Sequence, residues 1–342
     1  MKIIELRSDT LTQATPEMRE AMKNAVVGDD VYGEDPTINE LQELGAKVLG
    51  KEAALYVPSG TMGNLAALLT HCKPSEEVML EKNAHIYYFE RGGMASVAGL
   101  LPNLLDSDNG VVKPEHIKAS FRPIAAQDLK TSLLVLENTH NLCGGTVSTV
   151  EDMDAACETA KEYGMKVHVD GARLFNAAAY LKVSAADLIK NVDSAMVCLS
   201  KGLCAPVGSL LVGDKDFIVK ARQWRSILGG SMRQAGHIAA AGMLALTKMV
   251  DRLHIDNENA FFLAEELNKI DGLYVNMAAQ HTNLIYCNID PKLMTAEEFE
   301  KKLGKRGVRV IALKTGMIRL VTHNDVSIDD IKEAVEIIKE IC

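Results

Sequence analysis

Apolar residues Ile38, Leu41, Leu44 and Val48 recur at intervals of three and four. That spacing puts them on one stripe of a helix over 37–49, and Gly50 stops it. A second helix is expected over 16–27, with Pro16 at its start. The pattern then changes period. Short apolar runs at 53–57, 78–80, 132–137, 166–170, 194–200 and 208–212 have strand length. Helical stretches at 65–71, 150–163 and 214–227 lie between or after them. Strands alternating with helices predict an α/β layered fold with a mostly parallel sheet. Beyond about residue 250 the texture shifts. Helices at 249–267, 295–303 and 327–341 surround short strands at 283–289, 308–311 and 317–321. A large domain over 1–250 and a smaller α+β domain over 251–342 are expected, with the boundary inside a long helix.

Composition narrows the function classes. The chain has 342 residues, more than one hydrophobic core usually covers. It is 47% hydrophobic and 24% charged, with net charge −9. That balance suits a soluble globular enzyme and gives nucleic-acid binding no electrostatic support. Seven cysteines without a CxxC pair indicate neither a disulfide framework nor a zinc site, and no metal is expected. The opening residues are too charged for a signal peptide, and the longest uncharged helical stretch, 234–247, is too short to span a bilayer. A cytoplasmic location with reduced thiols is the expectation.

In an α/β fold the site collects at the carboxyl ends of the strands. Lys201 stands where the apolar run from Ser194 breaks into small, turn-prone residues, and Asp170 ends the preceding strand. A lysine and a carboxylate so placed are what an enzyme using pyridoxal phosphate requires. The amine holds the aldehyde as a Schiff base, and the carboxylate keeps the pyridine nitrogen protonated. The run Ser59-Gly-Thr-Met-Gly-Asn64 between strand and helix reads either as an N-capped tight turn or as a phosphate cradle. It lacks the lysine of a P-loop. His85, between a strand and an aromatic run, reads as structural or as a ring that stacks on a flat cofactor. His140 reads as ordering a strand-end loop, and His168 as a packing residue. Arg173, three residues beyond Asp170, reads as lying near the cofactor's ring oxygen or on the substrate carboxylate. Arg233, after Gly229-Gly230 at a helix start, reads as a loop residue or as a phosphate ligand for a neighbouring subunit.

Taken together, the chain resembles the threonine aldolases of low-specificity or L-allo type, pyridoxal-phosphate enzymes with the aspartate-aminotransferase fold (fold type I). The resemblance rests on Leu6-Arg-Ser-Asp-Thr10, Val27-Gly-Asp-Asp-Val-Tyr-Gly-Glu-Asp-Pro-Thr37, Pro58-Ser-Gly-Thr-Met-Gly-Asn64, Glu137-Asn-Thr-His-Asn141, His168-Val-Asp-Gly-Ala-Arg173, Ser200-Lys-Gly-Leu-Cys-Ala-Pro-Val-Gly-Ser209 and Met232-Arg-Gln-Ala-Gly236, in that order, with Met317-Ile-Arg-Leu-Val-Thr-His323 extending it. It implies that Lys201 carries the Schiff base, Asp170 pairs with the pyridine nitrogen and His85 stacks on the ring. Gly60, Thr61 and a partner subunit's copy of Arg233 would hold the phosphate. Ser8, Arg173 and Arg319 would bind the substrate carboxylate, in a homodimer or homotetramer with shared sites. The implied reaction splits the Cα–Cβ bond of a β-hydroxy-α-amino acid into glycine and an aldehyde. Two departures stand out. Gln127 occupies a position where many members carry a histidine associated with the β-hydroxyl, and Ser226 replaces a lysine after Trp-Arg. Glutamine can hydrogen-bond a hydroxyl but cannot act as a base near neutral pH. Other readings are a β-eliminating lyase, a racemase or a transaminase on the same cofactor, or a binding protein of this fold.

Overall fold

The computed structural model describes residues 2–122 and 129–342. Among these, seven strands form one sheet: β1 (Ala53–Val57), β2 (Glu77–Glu81), β3 (Leu101–Leu105), β4 (Thr131–Glu137), β5 (Lys166–Gly171), β6 (Ser194–Cys198) and β7 (Ser209–Gly213). The spatial order is β1-β7-β6-β5-β4-β2-β3. The ladders joining β6, β5, β4, β2 and β3 are parallel, whereas β7 runs antiparallel to both its neighbours. The expected mostly parallel sheet is present. The reversal at β7 and the edge strand β3 were not expected. β3 contains Pro102 and exposes three of its five residues, so no buried apolar run marks it.

Period-two alternation sorts the side chains between two layers. On β5, Val167 and Val169 face the larger core, where the helices Pro36–Val48, Val150–Glu162 and Gly236–Leu244 pack. Met196 and Cys198 of β6 face the opposite layer, built on the helices Gly60–His71 and Lys215–Ile227. His168 and Asp170, at the alternate positions of β5, also point to that second layer.

Caps set the helix limits. The first helix is Pro16–Lys23, shorter than expected, because the Asn24 side-chain amide turns back to donate to Glu20 O at 3.0 Å. Asp35 caps the next by accepting from Ile38 N at 3.0 Å. The helix expected at 65–71 begins at Gly60, because Ser59 Oγ accepts from Met62 N at 3.2 Å. The glycine-rich segment is therefore helix from its second residue onward.

Toward the C-terminus, Leu273–Val275, Leu284–Ile289, Ile311–Ala312 and Met317–Val321 form a four-stranded antiparallel sheet. The helices Leu253–Leu267, Ala296–Lys305 and Ile328–Ile341 contribute to a second apolar cluster with it. Ile4 and Leu6 belong to that cluster, because Ile4–Glu5 pairs in parallel with Val308–Arg309. Among the described residues no helix is long and apolar enough to cross a membrane.

Candidate active site

The carboxyl edge of the parallel strands opens on a cavity of about 340 Å³. Lys201, Asp170, His85, Gly60 and Thr61 all line it, with Glu90. Each arrives from the turn after a different strand: Gly60 and Thr61 after β1, His85 after β2, Asp170 at the end of β5 and Lys201 after β6.

Asp170 is 1% exposed. Its Oδ2 accepts from Asn64 Nδ2 at 2.9 Å and its Oδ1 from Ala172 N at 3.1 Å. The bond from its own turn fixes the direction of the carboxyl group. The same Asn64 nitrogen donates to Glu90 Oε1 at 2.9 Å. His85 Nδ1 lies 3.1 Å from Glu90 Oε1 and 3.8 Å from Asp170 Oδ2. Burial works against a charge on His85, but the Glu90 hydrogen bond and the nearby carboxylates outweigh it and raise its pKa. Burial raises the Glu90 carboxyl, and the Asp170 charge adds to that. The His85 backbone is tied down too, its N–H donating to Glu137 Oε2 at 2.7 Å.

Gly60 and Thr61 begin the helix that Ser59 caps, so a helix N-terminus, the end that favours anions, lines the cavity. A Cβ on Gly60 would lie 3.0 Å from Cys198 Sγ and from Met196 Cε. Gly208, on the opposite wall, has φ +103°, and a Cβ there would overlap the buried Tyr56 ring.

Arg173, Arg319 and Ser8 do not line this cavity and belong to a neighbouring cluster. Arg173 is buried, and its Nε and Nη2 reach the two oxygens of Asp9 at 2.7 and 2.6 Å. Asp9 is fully buried, which would raise its pKa, but Arg173 beside it, together with the Lys201 charge and the Asn283 amide, holds it far below the usual carboxylate range. Arg319 Nε is buried without a partner. Burial and then the Arg173 charge lower the Arg319 pKa. Two guanidinium groups so close, one with an unmet donor, suit a carboxylate ligand. Ser8 Oγ caps the turn Asp9–Leu11, accepting from Thr10 N at 3.3 Å and from Thr10 Oγ1 at 2.9 Å.

Arg233 lies apart from the cavity, exposed and paired with Asp29 at 3.1 Å. Ser226 is exposed on the helix Lys215–Ile227. Gln127 lies outside the described residues. His140 bridges Glu81 at 3.0 Å and Glu137 at 3.9 Å. Burial opposes its charge, but Glu137 and Glu81 push its pKa up to about 11. This matches the loop-ordering reading.

Asp9, Asn64 and Glu90 were not singled out from the sequence. Asp9 and Asn64 sit within the segments Leu6–Thr10 and Pro58–Asn64 but act on residues more than a hundred positions away. Glu90 closes the aromatic run after His85, and only its five-residue spacing from His85 hinted at contact.

Residues 5–290 match the beta-eliminating lyase family. The low-specificity L-threonine aldolase 1 of Arabidopsis thaliana is 45% identical over 336 residues, covering 97% of this chain and 94% of that protein. The low specificity L-threonine aldolase of Escherichia coli strain K12 is 41% identical over 334 residues, covering 97% of each. A solved Leishmania major threonine aldolase superposes with a TM-score of 0.85 at 19% identity, covering 99% of this chain and 100% of that one. The architecture is thus the pyridoxal-phosphate fold of aspartate-aminotransferase type. With strands, cavity and side chains arranged in this way, the chain belongs to the beta-eliminating lyase family, among its low-specificity L-threonine aldolases.

Proposed function

We propose that the protein cleaves L-threonine, L-allo-threonine and related β-hydroxy-α-amino acids to glycine and an aldehyde, with pyridoxal 5'-phosphate as cofactor. The observation that carries this is the meeting of Lys201 and Asp170 in one cavity whose wall is a capped helix N-terminus. An amine, a buried carboxylate and an anion cradle are the groups this cofactor needs. When bound, pyridoxal phosphate supplies the electron sink that makes bonds at the substrate Cα labile.

The chain supplies the rest. Lys201 would offer its Nζ to the aldehyde. Asp170, held as an acceptor by Asn64 and Ala172, would pair with the ring nitrogen. Gly60 and Thr61 would hold the phosphate, with Arg233 from a neighbouring subunit. His85 would stack on the ring. Its Nδ1 is taken up by Glu90, so Nε2 is the atom left to accept the β-hydroxyl proton and return it. Arg173 and Arg319, with Ser8, receive the substrate carboxylate, which fixes which Cα bond is held for cleavage. The same reading takes the protein as a homodimer or homotetramer, supported by the exposure of Val26, Tyr32 and Tyr88. It also divides the chain near residue 250, supported by two separate apolar clusters. A cytoplasmic location accords with seven free cysteines.

The test is aldehyde release from L-threonine, L-allo-threonine and L-serine, with and without added pyridoxal phosphate. Acetaldehyde and glycine from the first two, lost in Lys201→Ala, are expected. Pyruvate from serine without acetaldehyde from threonine would place the protein among the eliminating lyases instead. Gln127→His is expected to change the ratio of kcat/KM for L-threonine and L-allo-threonine. An unchanged ratio would remove Gln127 from β-hydroxyl recognition.

A further inference from the structure

Behind the cavity, a buried row of polar side chains leads away from Asp170 and serves no step described above. Asn64 Oδ1 lies 3.1 Å from His168 Nε2. His168 Nδ1 lies 2.8 Å from Ser194 Oγ, and Ser194 Oγ lies 2.7 Å from His71 Nε2. Asn64, His168 and Ser194 are 1%, 0% and 0% exposed, so no water competes for these bonds. Asn64 and His71 are seven residues apart on the helix Gly60–His71, two turns along one face. His168 and Ser194 are direct partners across β5 and β6. The helix therefore grips the sheet at two points.

The hydrogen positions along this row follow from its first member. Asn64 presents one side-chain atom to two carboxylate oxygens, of Asp170 and Glu90, both at 2.9 Å. Carboxylates accept, so that atom is the nitrogen and Oδ1 faces away. Oδ1 only accepts, so His168 Nε2 carries the hydrogen. A neutral imidazole then has Nδ1 as acceptor, which requires the Ser194 hydroxyl to donate to it. The serine oxygen in turn accepts from His71 Nε2–H. Every hydrogen points toward Asp170. Reversing the row would turn Asn64 Oδ1 onto Asp170, and that is tolerable only if a carboxyl takes up a proton. An amide in the middle is a poor proton carrier, so the row orients rather than conducts.

We infer that His168 is a positioning residue: its Nε2–H, with Ser194 donating to Nδ1 and His71 donating to Ser194, holds the Asn64 amide so that both its N–H groups serve Glu90 and the Asp170 carboxylate assigned to the cofactor ring nitrogen. Burial keeps His168 neutral, pushing its pKa down to about 3, which is what the single tautomer requires. The inference rests on the assignment of Asp170 to pyridoxal phosphate.

The test has two readings on the holoenzyme. With 15N-labelled histidine, His168 is identified by the signals lost in His168→Gln, and a protonated Nε2 with a bare Nδ1 is expected near neutral pH. A protonated Nδ1, or a charged ring, would overturn the inference without any variant having to fold. The second reading is the dissociation constant for pyridoxal phosphate. His168→Leu, which removes the donor, is expected to weaken binding about tenfold or more. His168→Gln, which can still donate to Asn64, is expected to stay within about threefold of the wild type. Equal affinities for wild type and His168→Leu would overturn the positioning role. Asp170→Asn separates the two ideas. If it too leaves the affinity unchanged, the placement of Asp170 on the cofactor fails. If it weakens binding while His168→Leu does not, only the positioning role fails.

Discussion

Asp9 shows what one buried charge does here. It is fully buried, and its two oxygens take the Nε and Nη2 of Arg173, which is itself 6% exposed. Such a pair adds little net stability when complete, but removing one partner leaves an unpaired charge in a dry site. Asp9→Asn is therefore expected to cost about 3–5 kcal/mol in urea unfolding. It is also expected to raise KM for the amino acid more than it lowers kcat, because Arg173 loses the fork that aims it. Equal changes in KM and kcat would mean that Arg173 acts elsewhere. Lys201, Asp170 and His85 were legible in the sequence because each follows a run of recognisable period. Asp9 was not, since its partner lies 164 residues away and nothing local to Leu6–Thr10 announces it. His168 is the sharper case. Its alternation with Val167 and Val169 places it on the other face of the strand from theirs. It did not tell that the opposite layer holds a polar partner, so a hydrogen-bonded residue read as packing.

Elements were legible where burial is two-sided and less so at edges and caps. β4, β5 and β6 are apolar runs with few exposed positions, and their expected limits hold within two residues. β7 is also wholly buried, yet its direction is antiparallel, and an apolar run carries no direction. The helix Gly60–His71 began five residues earlier than expected because its first turn contains Gly60, Thr61 and Gly63, whose weak propensities are overridden by the Ser59 cap. That cap carries a prediction. Ser59→Ala should lower stability by about 0.5–2 kcal/mol and weaken pyridoxal phosphate binding in equilibrium dialysis, because the frayed turn holds the phosphate donors. Lost stability with unchanged cofactor affinity would move the phosphate elsewhere. Gly208 makes the complementary case on the far wall. Its φ of +103° belongs to glycine, and a methyl group would press on Tyr56, whose hydroxyl donates to Val207 O at 3.1 Å. Gly208→Ala is expected to destabilise by at least about 1–3 kcal/mol from the backbone alone, measurable as a lowered denaturation midpoint.

For the whole molecule, the buried His168 and His140 and the half-buried His71 set opposite pH limits on stability. An ordinary histidine titrates near 6.5. Burial pushes His168 down to about 3 and His71 to about 4, so neither accepts a proton in the folded state until well below that point. As pH falls from about 6.5, the unfolded chain binds protons that the folded chain refuses, and both residues withdraw stability until their folded values are reached. His140 does the reverse. Held between Glu81 and Glu137, it keeps its proton up to about 11. Its contribution is fully present below about 6.5 and is lost as pH rises from there toward 11. A tenfold change in proton affinity corresponds to about 1.4 kcal/mol, so either flank carries several kcal/mol. Stability in urea should therefore peak between about pH 6 and 7. At saturating cofactor, His168→Gln is expected to flatten the acid flank and His140→Gln the alkaline flank, each leaving the other in place. A wild-type profile that rises or falls steadily from pH 4.5 to 9, or variants that shift the whole curve without changing its shape, would show that these three rings do not govern it. The two flanks also tie stability to the site. His168 stands behind Asp170 through Asn64, and His140 shares Glu137 with the His85 backbone, so each flank is set by a ring joined to the residues that line the cavity.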